Sequence, residues 1–407
     1  MRLSMKTFLI LSGVTIGIAL VGGCAGSHGA YTTEGLNVAR DRMAVIKSGT
    51  QWDMARQEFL TGDLNKALKS VDESIAINES VPKSHTLRGQ ILMELGQLEQ
   101  ASKALTRALA IDPSFTEAHY YLGVLYERFG ELDSALDKYQ AAAALAPSNA
   151  QYTLASAEVL LDMGRLAAAK TLLNQKKSDF EHNAGIRQTL AHIASMEHDA
   201  PLAAKLFGEA RMLDPDDESI MEDLAVAQVE AEQYVEAEYT LHLLLKKPAQ
   251  KDRRDLKQLE ARCLVALDRP VEARSILLGL TSDDAGLSDV DAWVELGQVA
   301  YMLGDMQRVR IAAGRVRTLD PTRYEGPLLR ALWERAKGNL EGALTSASKA
   351  QTLVQGADNG PAVVRGLILH QMGRQQDAKE SALDALSINP NDEGAKKLLA
   401  LVSPDGE

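Results

Sequence analysis

The sequence predicts an all-α protein built from repeated helical hairpins, an α-solenoid. Two observations carry that expectation. Pro82–Phe115 and Thr116–Asn149 are two versions of one 34-residue unit: at that offset Gly89 matches Gly123, Gly96 matches Gly130, Leu98 matches Leu132, Ala101 matches Ala135, Ala108 matches Ala142 and Pro113 matches Pro147. Each copy also holds two apolar patterns of helical period, joined by a short glycine turn and closed by Asp-Pro or Ala-Pro. No β-rich segment interrupts a chain of 407 residues that is 45% hydrophobic and 5% aromatic.

Within the unit every special residue has a physical task. Gly123 falls in mid-helix, where glycine costs about 0.5–1 kcal/mol relative to alanine, so close approach of the second helix is the expected reason for it. Leu122, Tyr126, Ala135, Tyr139 and Ala142 fall on the seam between helices, small residues against large ones. Gly130 ends the first helix and Pro147 stops the second. Leu122, Gly123, Tyr126, Ala135, Tyr139, Ala142 and Pro147 resemble the tetratricopeptide repeat (TPR), with His119 in place of its leading Trp. The resemblance implies a right-handed superhelix of helix-turn-helix units whose first helices line a concave groove.

Taken in order, the chain opens with residues 1–23, which read as a leader. Arg2 and Lys6 precede the apolar run Phe8–Val21, and Val21-Gly22-Gly23-Cys24 resembles the lipobox of bacterial lipoproteins. A transmembrane anchor with an incidental cysteine is the alternative, but the run is short for a span of about 20 residues. The lipoprotein reading makes Cys24 the lipidation site, anchors the chain by more than one acyl chain, and takes its charge from −12 to −14 on loss of Arg2 and Lys6. With Ala25 after the cysteine, family sorting rules place such a protein at the outer membrane, facing the periplasm. Residues 24–47 then comprise the lipidated cysteine, a polar tether, and an apolar pattern (Leu36, Val38, Ala39, Met43, Ile46) that either caps the first repeat or runs directly into its first helix.

Ten repeats follow, counted by the small residue that opens each second helix: Ala67, Ala101, Ala135, Ala169, Ala203 and Ala237 at intervals of 34, then Ala273, Val309, Ala343 and Ala378. Repeats 1–6 occupy 48–245 and repeats 7–10 occupy 246–392, with a possible joint at 246–254, where a basic stretch (KKPAQKDRRD) accompanies a longer spacing. Turn glycines stand at 62, 96, 130, 164, 304, 338 and 373. Ala157, Ala191, Ala225 and Ala261 replace the mid-helix glycine in repeats four to seven. Residues 393–407 supply a C-terminal capping helix and tail, with Ala395, Leu398, Leu399 and Val402 on its apolar side.

An enzyme reading finds no phosphate-binding loop, dinucleotide fingerprint, HExxH or paired CxxC, so neither a cofactor nor a catalytic residue is assigned. His85 and His119 share one packing register, so they read as core residues and no metal ligand is assigned; Cys263 reads as a buried small hydrophobe; Ser80-Val81-Pro82-Lys83 matches SxxK only formally. A net charge of −12 without a broad basic face demotes nucleic acid as a partner, and no small-molecule substrate is evident.

Protein or peptide binding has better material. Just off the packing positions of repeats one to three stand Trp52, Arg56, Phe59, Gln90, Met93, Tyr120, Tyr121, Val124 and Arg128, the aromatic anchors and hydrogen-bonding groups of a peptide groove. Glu222, Asp223, Glu230, Asp291 and Glu295 would make the later groove acidic and favour a basic or mixed partner. The expected protein is therefore a non-catalytic, lipid-anchored scaffold of the bacterial envelope, recruiting or assembling periplasmic or outer-membrane partners. The alternative is a regulatory or substrate-recruiting subunit of an envelope hydrolase or glycosyltransferase.

Overall fold

The structure, a computed structural model, describes residues 30–356 and 358–403. The leader, Cys24, its tether and the last four residues of the tail lie outside them. All regular structure among the described residues is helical: 21 α-helices and one 3-10 turn, Gly286–Ser288. The helices fall into two compact units divided after Ala146.

The first unit holds three hairpins: α1 (Ala30–Leu60) with α2 (Leu64–Ile77), α3 (Pro82–Glu94) with α4 (Leu98–Ile111), and α5 (Thr116–Arg128) with α6 (Leu132–Leu145). Here the structure decides between the two sequence readings of residues 36–46. They run without a break into the first helix of repeat one, and Leu36, Val38, Met43 and Ile46 are all exposed rather than packed as a cap.

The second unit holds seven hairpins. These are α7 (Ala150–Asp162) with α8 (Leu166–Lys176), α9 (Ala184–Met196) with α10 (Ala200–Leu213), α11 (Glu218–Glu230) with α12 (Tyr234–Leu245), and α13 (Arg254–Ala266) with α14 (Pro270–Leu280). They continue with α15 (Val290–Met302) and α16 (Met306–Leu319), α17 (Glu325–Ala336) and α18 (Leu340–Val354), and α19 (Gly360–Gln371) and α20 (Gln375–Ile388). The terminal helix α21 (Glu393–Val402) covers the last pair, burying Ala395, Leu398 and Val402 while Lys396 and Lys397 face solvent.

One design explains all ten hairpins. The small residue that opens each second helix, from Ala67 to Ala378, is wholly buried in every repeat. Only a side chain of that size lets the second helix close on the first. The mid-helix glycines do the same from the other side: a Cβ at Gly89 would stand 2.6 Å from Cγ of Leu105, and one at Gly123 would stand 2.5 Å from Cε1 of Tyr139.

The turn is equally uniform. In each repeat the amide after the turn residue donates to a carbonyl five residues back, as in Glu131 to Tyr126 (2.9 Å) and Asn339 to Glu334 (3.0 Å), the Schellman closure that needs a left-handed residue. The seven turn glycines named above meet that need with positive φ; in the three repeats without glycine, His198, Glu232 and Asp268 adopt φ of 60°, 57° and 58°.

In two of the repeats that lack the closing proline, arginine takes over. After α8 the chain turns over a buried Phe180, whose carbonyl accepts from the buried Arg187 at 3.1 Å. After α14, Arg254 donates to the Leu280 carbonyl at 2.6 Å and pairs with Asp283 (3.0 Å) and Asp289 (2.8 Å). The stretch 246–254 thus ends in two arginines tied to neighbouring repeats, the other being Arg253 with Glu222 at 2.7 Å.

Candidate functional site

In the first unit, α1, α3 and the start of α5 enclose a cleft of about 520 Å³. Trp52, Arg56 and Phe59 come from α1, Gln90 from α3 and Tyr121 from α5, so five of the nine residues marked in the sequence line one cavity. Helical spacing puts the three from α1 on one face, at i, i+4 and i+7. Trp52 and Phe59 rest their inner edges on the core of Ala55, Ala67, Val71, Leu87 and Ile91, which fixes the rings without burying them.

Electrostatics prepare the indole. Lys83 Nζ lies 4.1 Å and Arg56 Cζ 5.8 Å from the centre of the Trp52 ring, both within cation–π range, while Trp52 Nε1 donates to the Lys83 carbonyl at 3.3 Å. The wall therefore combines rigid aromatic area with two cations, a glutamine and, from Glu117, one carboxylate. Such a surface takes an apolar anchor side chain and offers hydrogen bonds to the backbone beside it.

The other four marked residues have structural positions. Met93 is buried, and its sequence assignment to the groove is corrected: about one turn along α3 from Gln90, it enters the core with Leu92 and Leu105. Val124 packs half-buried on the same core. Tyr120 meets Tyr121 edge-on and Tyr139 at a tilt, at 5.2 and 5.5 Å between ring centres. Arg128 donates to the Met93 carbonyl at 3.0 Å and pairs with Glu94 at 3.2 Å, closing the end of α3. Lys83 and Glu117, which the sequence reading passed over, were detectable: they stand 34 apart at the second position of successive units.

The acidic residues expected to face the groove of the later repeats are mostly engaged by neighbouring repeats. Arginines of adjacent repeats pair with three of its carboxylates, Glu222 with Arg253 (2.7 Å), Asp291 with Arg323 (3.0 Å) and Glu295 with Arg262 (2.7 Å), while Asp223 lies 3.3 Å from His192 Nε2 and Glu230 is exposed. Burial nevertheless pushes the Glu295 carboxyl above its ordinary range, Arg262 opposing it.

Side chains that resemble chemical machinery are otherwise engaged. His85 and His119 each bring Nε2 to 2.9 Å from a backbone carbonyl, of Glu79 and Pro113 respectively. The Cys263 thiol is fully buried and pushed up to about 11, by desolvation first and by Glu238 and Glu260 after it. Ser80 Oγ bonds Asn78 at 2.8 Å while Lys83 lies on Trp52, so the formal SxxK holds no working pair. Among the described residues no three His, Cys, Asp or Glu side chains gather as metal ligands, and no helix is long and apolar enough to cross a membrane.

Two family models, both described as tetratricopeptide repeat, match the chain, one over residues 86–150 and one over 363–392. The chain thus carries tetratricopeptide repeats, in an all-α solenoid fold, and neither match is to an enzyme family. Repeats of this kind are protein-interaction scaffolds that bind protein or peptide partners. No curated protein matches the sequence. Among solved structures, Pseudomonas aeruginosa pilF is 22% identical, with 50% of this chain and 91% of that one covered at a TM-score of 0.42. Yeast Tom70 is 14% identical, with 90% and 89% covered at 0.43, and Cut9–Hcn1 of the APC/C is 13% identical, with 92% and 87% covered at 0.45. At identities and TM-scores this low, no property of those proteins is assigned to this chain.

Proposed function

We propose that the protein is a non-catalytic scaffold that holds a partner polypeptide in the cleft of its first unit, and that Cys24 carries a lipid anchoring it in the bacterial envelope, at the outer membrane on the periplasmic side. The observation that carries the binding reading is the convergence of Trp52, Arg56, Phe59, Gln90 and Tyr121 on one cleft of about 520 Å³, a volume suited to a few side chains of an extended segment or one turn of helix. Anchoring rests on the lipobox-like Val21–Cys24 and the apolar run before it.

Two experiments separate the claims. Trp52→Ala with Tyr121→Ala reduces cross-linked capture of a partner from the native envelope by tenfold or more while helicity is unchanged; equal capture places the partner elsewhere. Cys24→Ala releases the protein from the membrane fraction, and intact-mass analysis of the wild type shows the acyl chains; a Cys24→Ala protein still in the membrane fraction refutes the lipid anchor.

A further inference from the structure

We propose that a second cavity, in the second unit between α16, α17 and α18, binds an acidic segment of a partner polypeptide. Its volume is about 650 Å³, and its charged lining is Arg310 and Arg317 of α16, Arg330 and Glu334 of α17, and Lys349 of α18. Four cations face one carboxylate on a chain whose net charge is −12.

Most of the arginines around this site are committed, which makes the remainder informative. On α16, Arg308 is tied to Asp305 and Arg315 lies over the Trp293 ring at 5.6 Å. Arg330 is held by Glu334 at 3.0 Å, and the second oxygen of that buried carboxylate accepts from Ser346 Oγ at 2.8 Å. Arg310, Arg317 and Lys349 are left exposed, and among the described residues no carboxylate stands within ion-pair distance of them. Arg310 and Arg317 are seven residues apart, two turns along one face of α16, so both reach the same cavity.

Small residues line the space between the cations, and a Cβ at Gly314 would meet nothing within 4 Å. Gly314, Gly326 and Gly342, one from each helix, line it together with Ala313, and Trp333 gives it an apolar wall. Guanidinium forks over small residues suit carboxylates approaching close to the backbone, and the indole suits one apolar side chain among them. The site is separate from the cleft of the first unit and uses another face of the repeat. By repeat spacing, the cleft residues Trp52 and Gln90 correspond to Leu328 and Leu332 on α17, and Arg330 stands two residues from each, about 200° round the helix.

The test uses the full chain and a fluorescent, end-blocked hexapeptide of glutamates with one central phenylalanine, beside its glutamine counterpart. Fluorescence anisotropy is expected to show saturable binding of the acidic peptide only, weakened by salt, and lowered at least tenfold by Arg317→Glu with Lys349→Glu but not by Trp52→Ala with Tyr121→Ala. Both reversed residues are exposed, and circular dichroism verifies the fold. Equal binding by the charge-reversed protein, equal binding of the glutamine peptide, or loss of binding only in the Trp52/Tyr121 variant overturns the proposal. So does failure of the peptide to bind while anionic phospholipid vesicles bind through the same two cations.

Discussion

At Gly123 a methyl group has no room: its Cβ would meet the buried Tyr139 ring at 2.5 Å, and that ring is held by its hydroxyl on Glu127. Gly123→Leu is therefore expected to destabilise the first unit by about 1–3 kcal/mol, seen as a lower urea midpoint. The left-handed turn residues predict the opposite sign. At Glu232 a side chain is carried at φ 57°, which costs about 1–2 kcal/mol, offset in part by the entropy a glycine would lose. Glu232→Gly should stabilise by about 0.5 kcal/mol, and a lower midpoint would show that the side chain compensates. At the start of α11, Asp217 accepts from Ser219 N (2.8 Å), Ser219 Oγ (2.6 Å) and Ile220 N (3.3 Å), and the Ser219 hydroxyl chiefly holds its carboxyl below the ordinary 3.8. A lowered folded pKa gives stability that is complete above 3.8 and lost as pH falls through the folded value. Asp217→Ala is accordingly expected to cost about 0.5–2 kcal/mol near neutrality and progressively less below pH 3.8, checked by urea unfolding across pH.

Between helices the same economy of small against large governs what the sequence could and could not reveal. The ten hairpins were legible because the residue opening each second helix has to be small, and its spacing survives where glycines and prolines do not. The arginine closures were not, because Arg187 and Arg254 reach carbonyls and carboxylates up to 35 residues away through long side chains that leave no periodic trace. The same long reach hid the pairing of Glu222, Asp291 and Glu295 with arginines of adjacent repeats. The terminal helix was legible from its apolar side, and Leu398 is its anchor, a Cβ at Gly366 lying 2.4 Å from its Cδ2. Leu398→Ala should cost about 2–5 kcal/mol and raise amide exchange in α19 and α20 first, since neighbouring repeats carry each other's stability. Exchange unchanged there, with loss elsewhere, would contradict that coupling.

Over the whole chain the averages of repeat spacing and charge conceal two facts. Nothing in the spacing marks the division after Ala146, because the period runs through it unbroken. Nor does a net charge of −12 disclose a basic cavity in one unit, since an average over 407 residues hides four cations around one carboxylate. In the proposed function recognition rests on residues that depart from the repeat, and the cleft of the first unit gathers five of them. A photo-crosslinking amino acid at Gln90, inside that cleft, compared with one at the exposed Lys103 of α4, tests this most directly in cells that express the full chain. The account predicts a discrete adduct from position 90 that disappears with Trp52→Ala and none from position 103. The same adducts from both positions, or an adduct from 90 indifferent to Trp52, would contradict it.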